Sequence, residues 1–326
     1  MQHSLRGLGF LSCALLLGTA ASDVAAQVTE EEIAEVFREA ADVGQLGAAF
    51  QALNVFVAAP GAAAAHYTLD GSGEEATIRS IAVHPNWVSD DGGAWRRFTE
   101  IDTGFAWSER EFALPGSNGE LNRGQLRTQT FSAIGGGGAE WQMAPTLTVR
   151  MGALAGISNV TDDADIDGPD SQLILDAGQD ILFDISSTAG LYGGLLAVRH
   201  QKVHDNGVVS KARLRLTALR SDVFAASDDV LKQDSDLIVS TLVGELNGPT
   251  PWFLFNQPLR WNAFASSTSF GQDTNAALGF GHLMRAGGGL SWVAPSVLTV
   301  KTINFKASLL GGDDVSGYQV GFSVSF

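Results

Sequence analysis

The sequence predicts an all-β protein, a transmembrane antiparallel β-barrel of about twelve strands with a short amino-terminal α-helix, and three observations carry that prediction. In the last ten residues Tyr318, Val320, Phe322, Val324 and Phe326 fall on one strand face, and Gln319, Gly321, Ser323 and Ser325 on the other. An unbroken apolar face of this kind suits a strand that meets lipid and closes a ring. From about residue 64 onward, strand-like segments alternate with connections that are short on one side and long and acid-bearing on the other. Finally, no stretch approaches the roughly 20 apolar residues that a membrane helix needs, so any span must be made of strands.

The elements follow in order. In residues 1–26, Arg6 precedes an apolar run over 8–17, and Val24, Ala25 and Ala26 stand before Gln27, the pattern of a signal peptide cleaved after Ala26. The single cysteine, Cys13, lies inside it, so disulfide and thiol chemistry are excluded from the mature chain. In residues 27–63, Thr29 and Glu32 form a capping box, and Ile33, Val36, Phe37 and Ala40 recur at helical spacing. A helix over 30–43 is expected, fading at Gly44 and Gly47 into an Ala-rich linker with Pro60 and Gly61, and serving as a lumen plug or a periplasmic cap.

Residues 64–326 are the barrel. Strands are expected at 64–71, 75–84, 95–108, 127–142, 146–159, 187–204, 208–223, 235–246, 252–268, 275–293, 296–309 and 315–326. With the carboxyl terminus in the periplasm, the short turns 143–145, 205–207, 247–249 and 294–296 are periplasmic, while 109–126, 160–186 and 224–234 are outer loops. Pro258 has no N–H to give a ladder and is expected at a bulge or a strand start. Trp95, Trp141, Trp252 and Trp292 fall near periplasmic strand ends and Trp107 near an outer one, as in two aromatic girdles.

The chain carries 36 acidic against 20 basic residues, a net charge of −16, and loss of residues 1–26 removes one of each. That balance excludes a nucleic-acid partner, which requires a basic footprint, and favours an acidic surface facing divalent ions or cationic partners. Alternation directs Lys211, Arg213 and Arg215 to the interior, with Ala212, Leu214 and Leu216 facing lipid. Arg96, Glu100, Asp102, Glu140, Arg150 and Lys306 fall on the same interior side. Charges of both signs there either pair or line a pore, because an unpaired charge in a dry interior is costly.

Three chemical sites are weighed. Asp163, Asp165 and Asp167 before Gly168 match the start of a calcium loop, but Ile174 stands where its closing glutamate belongs; calcium is the one cofactor the sequence raises. His66, His84, His200, His204 and His282 show neither a His-x-Ser arrangement nor an acid-rich outer-loop setting, so no catalysis is expected. The glycine run 135–138 lacks a following Lys-Ser or Lys-Thr; with Phe131, Ala133, Ala139 and Trp141 alternating around it, it reads as a strand passed closely by another segment.

Residues 248–262, with Leu259-Arg260-Trp261-Asn262, and the last two strands through Phe326 resemble the solitary outer-membrane autotransporter β-barrel family, a passenger-less autotransporter-type translocator. The resemblance implies an integral barrel of the bacterial outer membrane with a structural or transport role. It also implies a lumen plugged by a helix, here 30–43, and no established biochemical activity. Residues 27–63 are too short for a secreted passenger. The terminal set Tyr318, Val320, Phe322, Val324 and Phe326 would be the signal that the barrel-assembly machinery reads. Further implied partners are the secretion translocon and periplasmic chaperones during biogenesis, then outer-membrane lipid and lipopolysaccharide. A passive porin for small solutes is the alternative function, and an outer-membrane hydrolase the third.

Overall fold

The computed structural model describes residues 31, 34 and 64–325, apart from 72–73, 90–92, 117–118, 182, 272–273, 276–277, 279, 294–301 and 314. The strands are β1 (Ala64–Gly71), β2 (Glu74–Val83), β3 (Asn86–Val88), β4 (Trp95–Pro115), β5 (Leu121–Ala144), β6 (Leu147–Asp167), β7 (Ser186–Val203), β8 (Val209–Ala226), β9 (Ser235–Leu254), β10 (Gln257–Phe270), β11 (His282–Val293), β12 (Thr302–Gly312) and β13 (Val315–Ser325). One helix, α1 (Ser171–Gly178), lies between β6 and β7. Every strand pairing is antiparallel and, apart from β2 with β4 and β1 with β13, joins sequence neighbours; β1 closes the ring by pairing with both β2 and β13. β2 and β3 pair with successive stretches of β4, 103–110 and 98–100, and behave as one strand broken at Pro85. The result is a closed twelve-stranded barrel.

Its two ends differ. At one, which we call the turn end, neighbouring strands are joined by tight connections such as 145–146 and 204–208; at the other, the loop end, segments 168–185 and 271–281 intervene. Several expected boundaries are corrected. Most of 109–126 and part of 160–186 are strand, because β4, β5 and β6 continue past the ring as a tall sheet. The hairpin after β9 turns at Phe255 and Asn256, with φ of 50° and 61°, instead of at 247–249. Asn-Gly-Pro is the stronger local turn signal, but continued pairing of β9 with β10 carries both strands past it. Pro258 sits at a register shift in that pairing, where a missing N–H costs little. β11 begins at His282 instead of near 275, with a short helical stretch at Thr274 and Asn275 before it.

Side chains alternate around the whole ring. The outward set is apolar on almost every strand, for example Ile101, Phe105, Phe131, Ile157, Leu196, Leu214, Leu242 and Phe305, all exposed. Trp95 and Trp141 face each other across β4 and β5 and stack at 5.2 Å; ten residues along the same strands, Phe105 faces Phe131. At about 3.3 Å per residue and a tilt near 40°, these two aromatic levels lie roughly 25 Å apart.

The inward set is layered. At the loop end, Ile174, Ala177, Ile181, Phe183 and Ile185 fold down onto Val160, Ile166 and Leu231, and Ala34 packs against the same cluster. Below lies a second apolar layer that includes Tyr67, Phe98, Ile134, Leu154, Leu219 and Phe270, with Leu278 and Phe280 from the β10–β11 connection. The charged layer is confined to the turn end. Of the expected helix 30–43, Glu31 and Ala34 are helical and the remainder lies outside the described residues.

The glycine run contributes to this layering. A Cβ at Gly152 would stand 2.7 Å from the Phe98 ring and from the Gly137 carbonyl, and one at Gly138 would stand 2.1 Å from the Met151 carbonyl. The glycines therefore let β5 and β6 curve closely enough for Phe98 to lie flat against the inner wall. Gly152→Val is expected to destabilise the barrel by about 1–3 kcal/mol, the usual cost of overpacking, read as a lower urea midpoint with an unchanged slope.

Candidate functional site

The charged layer lines a cavity of about 790 Å³ at the turn end, bounded by Glu100, Asp102, Glu140, Arg150, Arg213, Arg215, Glu245 and Lys306 among others. Its carboxylates, buried at Glu100, Asp102 and Glu140 and half-buried at Glu245, are held by cations both from neighbouring strands and from across the lumen. Glu140 of β5 accepts from Arg96 Nη2 at 2.5 Å and from Arg150 Nη2 at 2.8 Å. Glu100 of β4 receives the fork of Arg215, at 2.7 and 3.3 Å, across the lumen from β8. Arg215 Nη2 also reaches Asp102 at 3.4 Å, while His84 Nδ1 lies 2.9 Å from that carboxylate's other oxygen. On the opposite wall Glu245 is shared by Lys306 at 2.6 Å and Lys211 at 3.5 Å. Arg150 closes the top of the cavity, its guanidinium 4.4 Å from the centre of the Phe98 ring.

All nine charged residues that alternation directed inward thus lie on the inner face, eight of them in ion pairs; Arg213 has no such partner among the described residues. Sequence reasoning did not single out Glu245, Arg199 or Arg285, which the structure places in the same cavity. The signal was available: Arg199 shares parity with the buried Leu191 and Leu195, and Glu245 with the buried Val239 and Thr241. His84 pairs with Asp102 because β2 and β3 run along β4 in one register, which sets His84 opposite Asp102 and on the inward parity of Ile78, Ser80 and Ala82.

The aspartate series lies elsewhere. Asp163, Asp165 and Asp167 lie in β6, opposite Arg127, Gln125 and Arg123 of β5. Alternate positions on a strand are about 7 Å apart, too far for three side chains to converge on one ion as a loop would allow. Among the described residues no three His, Cys, Asp or Glu are grouped to hold a metal. Of the terminal signal, Tyr318, Val320 and Phe322 are exposed on the outer face, Val324 pairs with Ile303 of β12, and Phe326 lies outside the described residues. His66 stacks on Tyr318 outside the ring, and His204 and His282 bond to Ser210 and Ser269.

One carboxylate at the loop end stands apart. Asp162, opposite Thr128 and beyond the level of Phe131, exchanges hydrogen bonds with Ile185: its N–H donates to the Ile185 carbonyl at 3.1 Å, and its Oδ1 accepts from the Ile185 N–H at 2.8 Å. Its Oδ2 has no hydrogen-bond partner among the described residues. Burial, aided by the charges of Asp184 and Asp163 and opposed by the Ile185 N–H, pushes its carboxyl from 3.8 up to about 8. The acid therefore anchors the end of the 168–185 segment best when protonated.

Two outcomes are expected. Arg215→Ala, which leaves Glu100 and Asp102 buried without their main cation, is expected to cost about 3–5 kcal/mol in urea unfolding, largely regained when Glu100→Gln and Asp102→Asn are added. For Asp162, attachment of the 168–185 segment is complete below about pH 4 and is lost as pH rises through about 8. Hydrogen exchange at the Ile185 amide, corrected for its intrinsic rate, is expected to accelerate over that window in the natural chain but not in Asp162→Asn.

No protein-family model matches the chain, and no curated protein sequence matches it. Among solved structures it is similar to the β domain of the Bordetella autotransporter BrkA, with 10% identity, 81% of this chain and 96% of that one covered, and a TM-score of 0.49. The translocator domain of autotransporter NalP from Neisseria meningitidis gives 14% identity, 92% and 100% coverage, and 0.48. The transport unit of the autotransporter AIDA-I from Escherichia coli gives 10% identity, 86% and 99% coverage, and 0.47. All three are parts of autotransporters.

Proposed function

We propose that the chain is an outer-membrane β-barrel of the autotransporter-translocator kind whose lumen is closed at the loop end, with a structural or gated-transport role. The observation that carries this reading is the outward surface, apolar on almost every strand and bounded by aromatic levels roughly 25 Å apart, the height of a bilayer's hydrocarbon band along a barrel wall. Beyond Phe131 the outer face changes character at once, with Glu109, Arg127 and Asp163 in register. Short connections then face the periplasm, with the carboxyl-terminal strand end, and long ones face outside. No described helix is long and apolar enough to cross a membrane, so the strands would do so.

Closure is favoured over a passive porin because two apolar clusters occupy the upper lumen, with Ile174, Ile181, Phe183 and Ile185 from the β6–β7 connection and Leu278 and Phe280 from the β10–β11 connection packed into them. Biogenesis through the secretion translocon, periplasmic chaperones and barrel-assembly machinery goes with such a barrel.

The test is planar-bilayer conductance of the refolded chain. The intact protein is expected to be silent, and a variant carrying Ile181→Asp, Phe183→Asp and Ile185→Asp is expected to open steady channels. Steady conductance of the intact chain would mean that it acts as a porin.

A further inference from the structure

An acidic chain has placed an excess of basic side chains inside its barrel, and two of them face each other. Arg199 of β7 and Arg213 of β8 are directly opposed cross-strand partners, both on the inner face and both lining the turn-end cavity. Like charges at opposed positions destabilise a sheet. The other cross-strand neighbours give no relief: Arg213 stands opposite Val243, and Arg199 opposite Thr148. The cavity's carboxylates are engaged elsewhere, Glu100 and Asp102 by Arg215, Glu140 by Arg96 and Arg150, and Glu245 by Lys306 and Lys211. Among the described residues, Arg199 and Arg213 make no hydrogen bond or ion pair. A third guanidinium, Arg285, lines the same space and donates to Ser266 and Gln319.

We propose that this cavity is a binding site for a small soluble anion bearing carboxylate or phosphate groups, held by Arg199 and Arg213, with Arg285 lining the same space. Guanidinium forks match the oxygen pairs of both groups, and a divalent or trivalent anion between the opposed arginines offsets their mutual repulsion. The space of about 790 Å³ lies in the range of small-molecule sites, and the Phe264 ring adds an apolar wall. Access is from the turn end, since the loop-end layers seal the other side. The site is independent of whether the barrel conducts or translocates.

The experiment is a calorimetric titration of the full chain, folded in uncharged detergent, with citrate and separately with pyrophosphate, paired with melting curves. Saturable one-to-one binding of at least one probe is expected, weakened at least tenfold by Arg213→Gln and by Arg199→Gln and unchanged by Arg127→Gln on the outer face. Each inner variant is also expected to melt no lower than the natural chain without ligand, because it relieves the repulsion, and to lose the ligand-induced rise in melting temperature. A residue with only a structural role would instead lower the unliganded melting point. If one inner variant does not fold, the other reports on the same cavity. Absence of saturable binding by both probes, or binding that survives both inner substitutions, overturns the proposal. Binding of phosphatidylglycerol in mixed micelles by the same arginines, with neither soluble probe bound, assigns the pair to a lipid headgroup and likewise overturns it.

Discussion

Closure of the sheet is the constraint to which the rest of the molecule answers. A sheet edge presents unpaired N–H and C=O groups, and in the lipid setting proposed for this barrel each such group would be prohibitively costly; β1 leaves no edge, pairing with β2 on one side and β13 on the other. Its register with β13, Ala64 opposite Val320, fixes the stagger of the ring, and stagger with strand number fixes the diameter. Twelve strands enclose more space than their own inward side chains fill. The lumen has to be occupied by something else, and the chain solves this differently at its two ends.

Toward the loop end the filling is apolar: connecting segments fold back into the mouth, and inward residues such as Phe98, Ile134 and Leu154 meet in the middle. Toward the turn end the filling is ionic. Carboxylates from β4, β5 and β9 are clasped by Arg and Lys side chains from other strands, so that Glu100 and Arg215, 115 positions apart in sequence, act as a strut across the barrel. The strut is geometrically specific where the apolar layer is not: a fork of two hydrogen bonds fixes both distance and angle between opposite walls.

The parts of this architecture that repeat were legible in the sequence, and the parts that happen once were not. Period-2 alternation assigned Lys211, Arg213 and Arg215 to the interior and Leu214 and Leu216 to the exterior, because alternation is a property of each strand by itself. Strand ends were read poorly wherever pairing with a neighbour overrode a local signal: Asn247 and Gly248 look like a turn but lie within β9, since β10 continues to bond alongside. The aspartates after Asn159 look like a calcium loop but are strand, for the same reason. Which carboxylate meets which guanidinium depends on the ring's curvature, and that is encoded in no single segment. The folding of 168–185 into the mouth was equally hidden, since Ile181, Phe183 and Ile185 alternate like any short strand.

The β9–β10 hairpin gives the barrel a direction that a ring of equal strands would lack. β9 runs on from Asn247, the last residue with a partner in β8, to Leu254, and the overhang carries Trp252, Phe253, Leu254 and Phe255 exposed at its tip, with Phe255 set edge-on to Trp292. Apolar surface on one side of the barrel is thus longer than on the other. A bilayer accommodates unequal hydrophobic heights by tilting the solute and thinning beneath its shorter wall. In the bilayer proposed for it, the barrel would then sit canted, with the hairpin dipped into the interfacial region of one leaflet and the bilayer pinched on the far side, where β5 and β6 end at a tight turn.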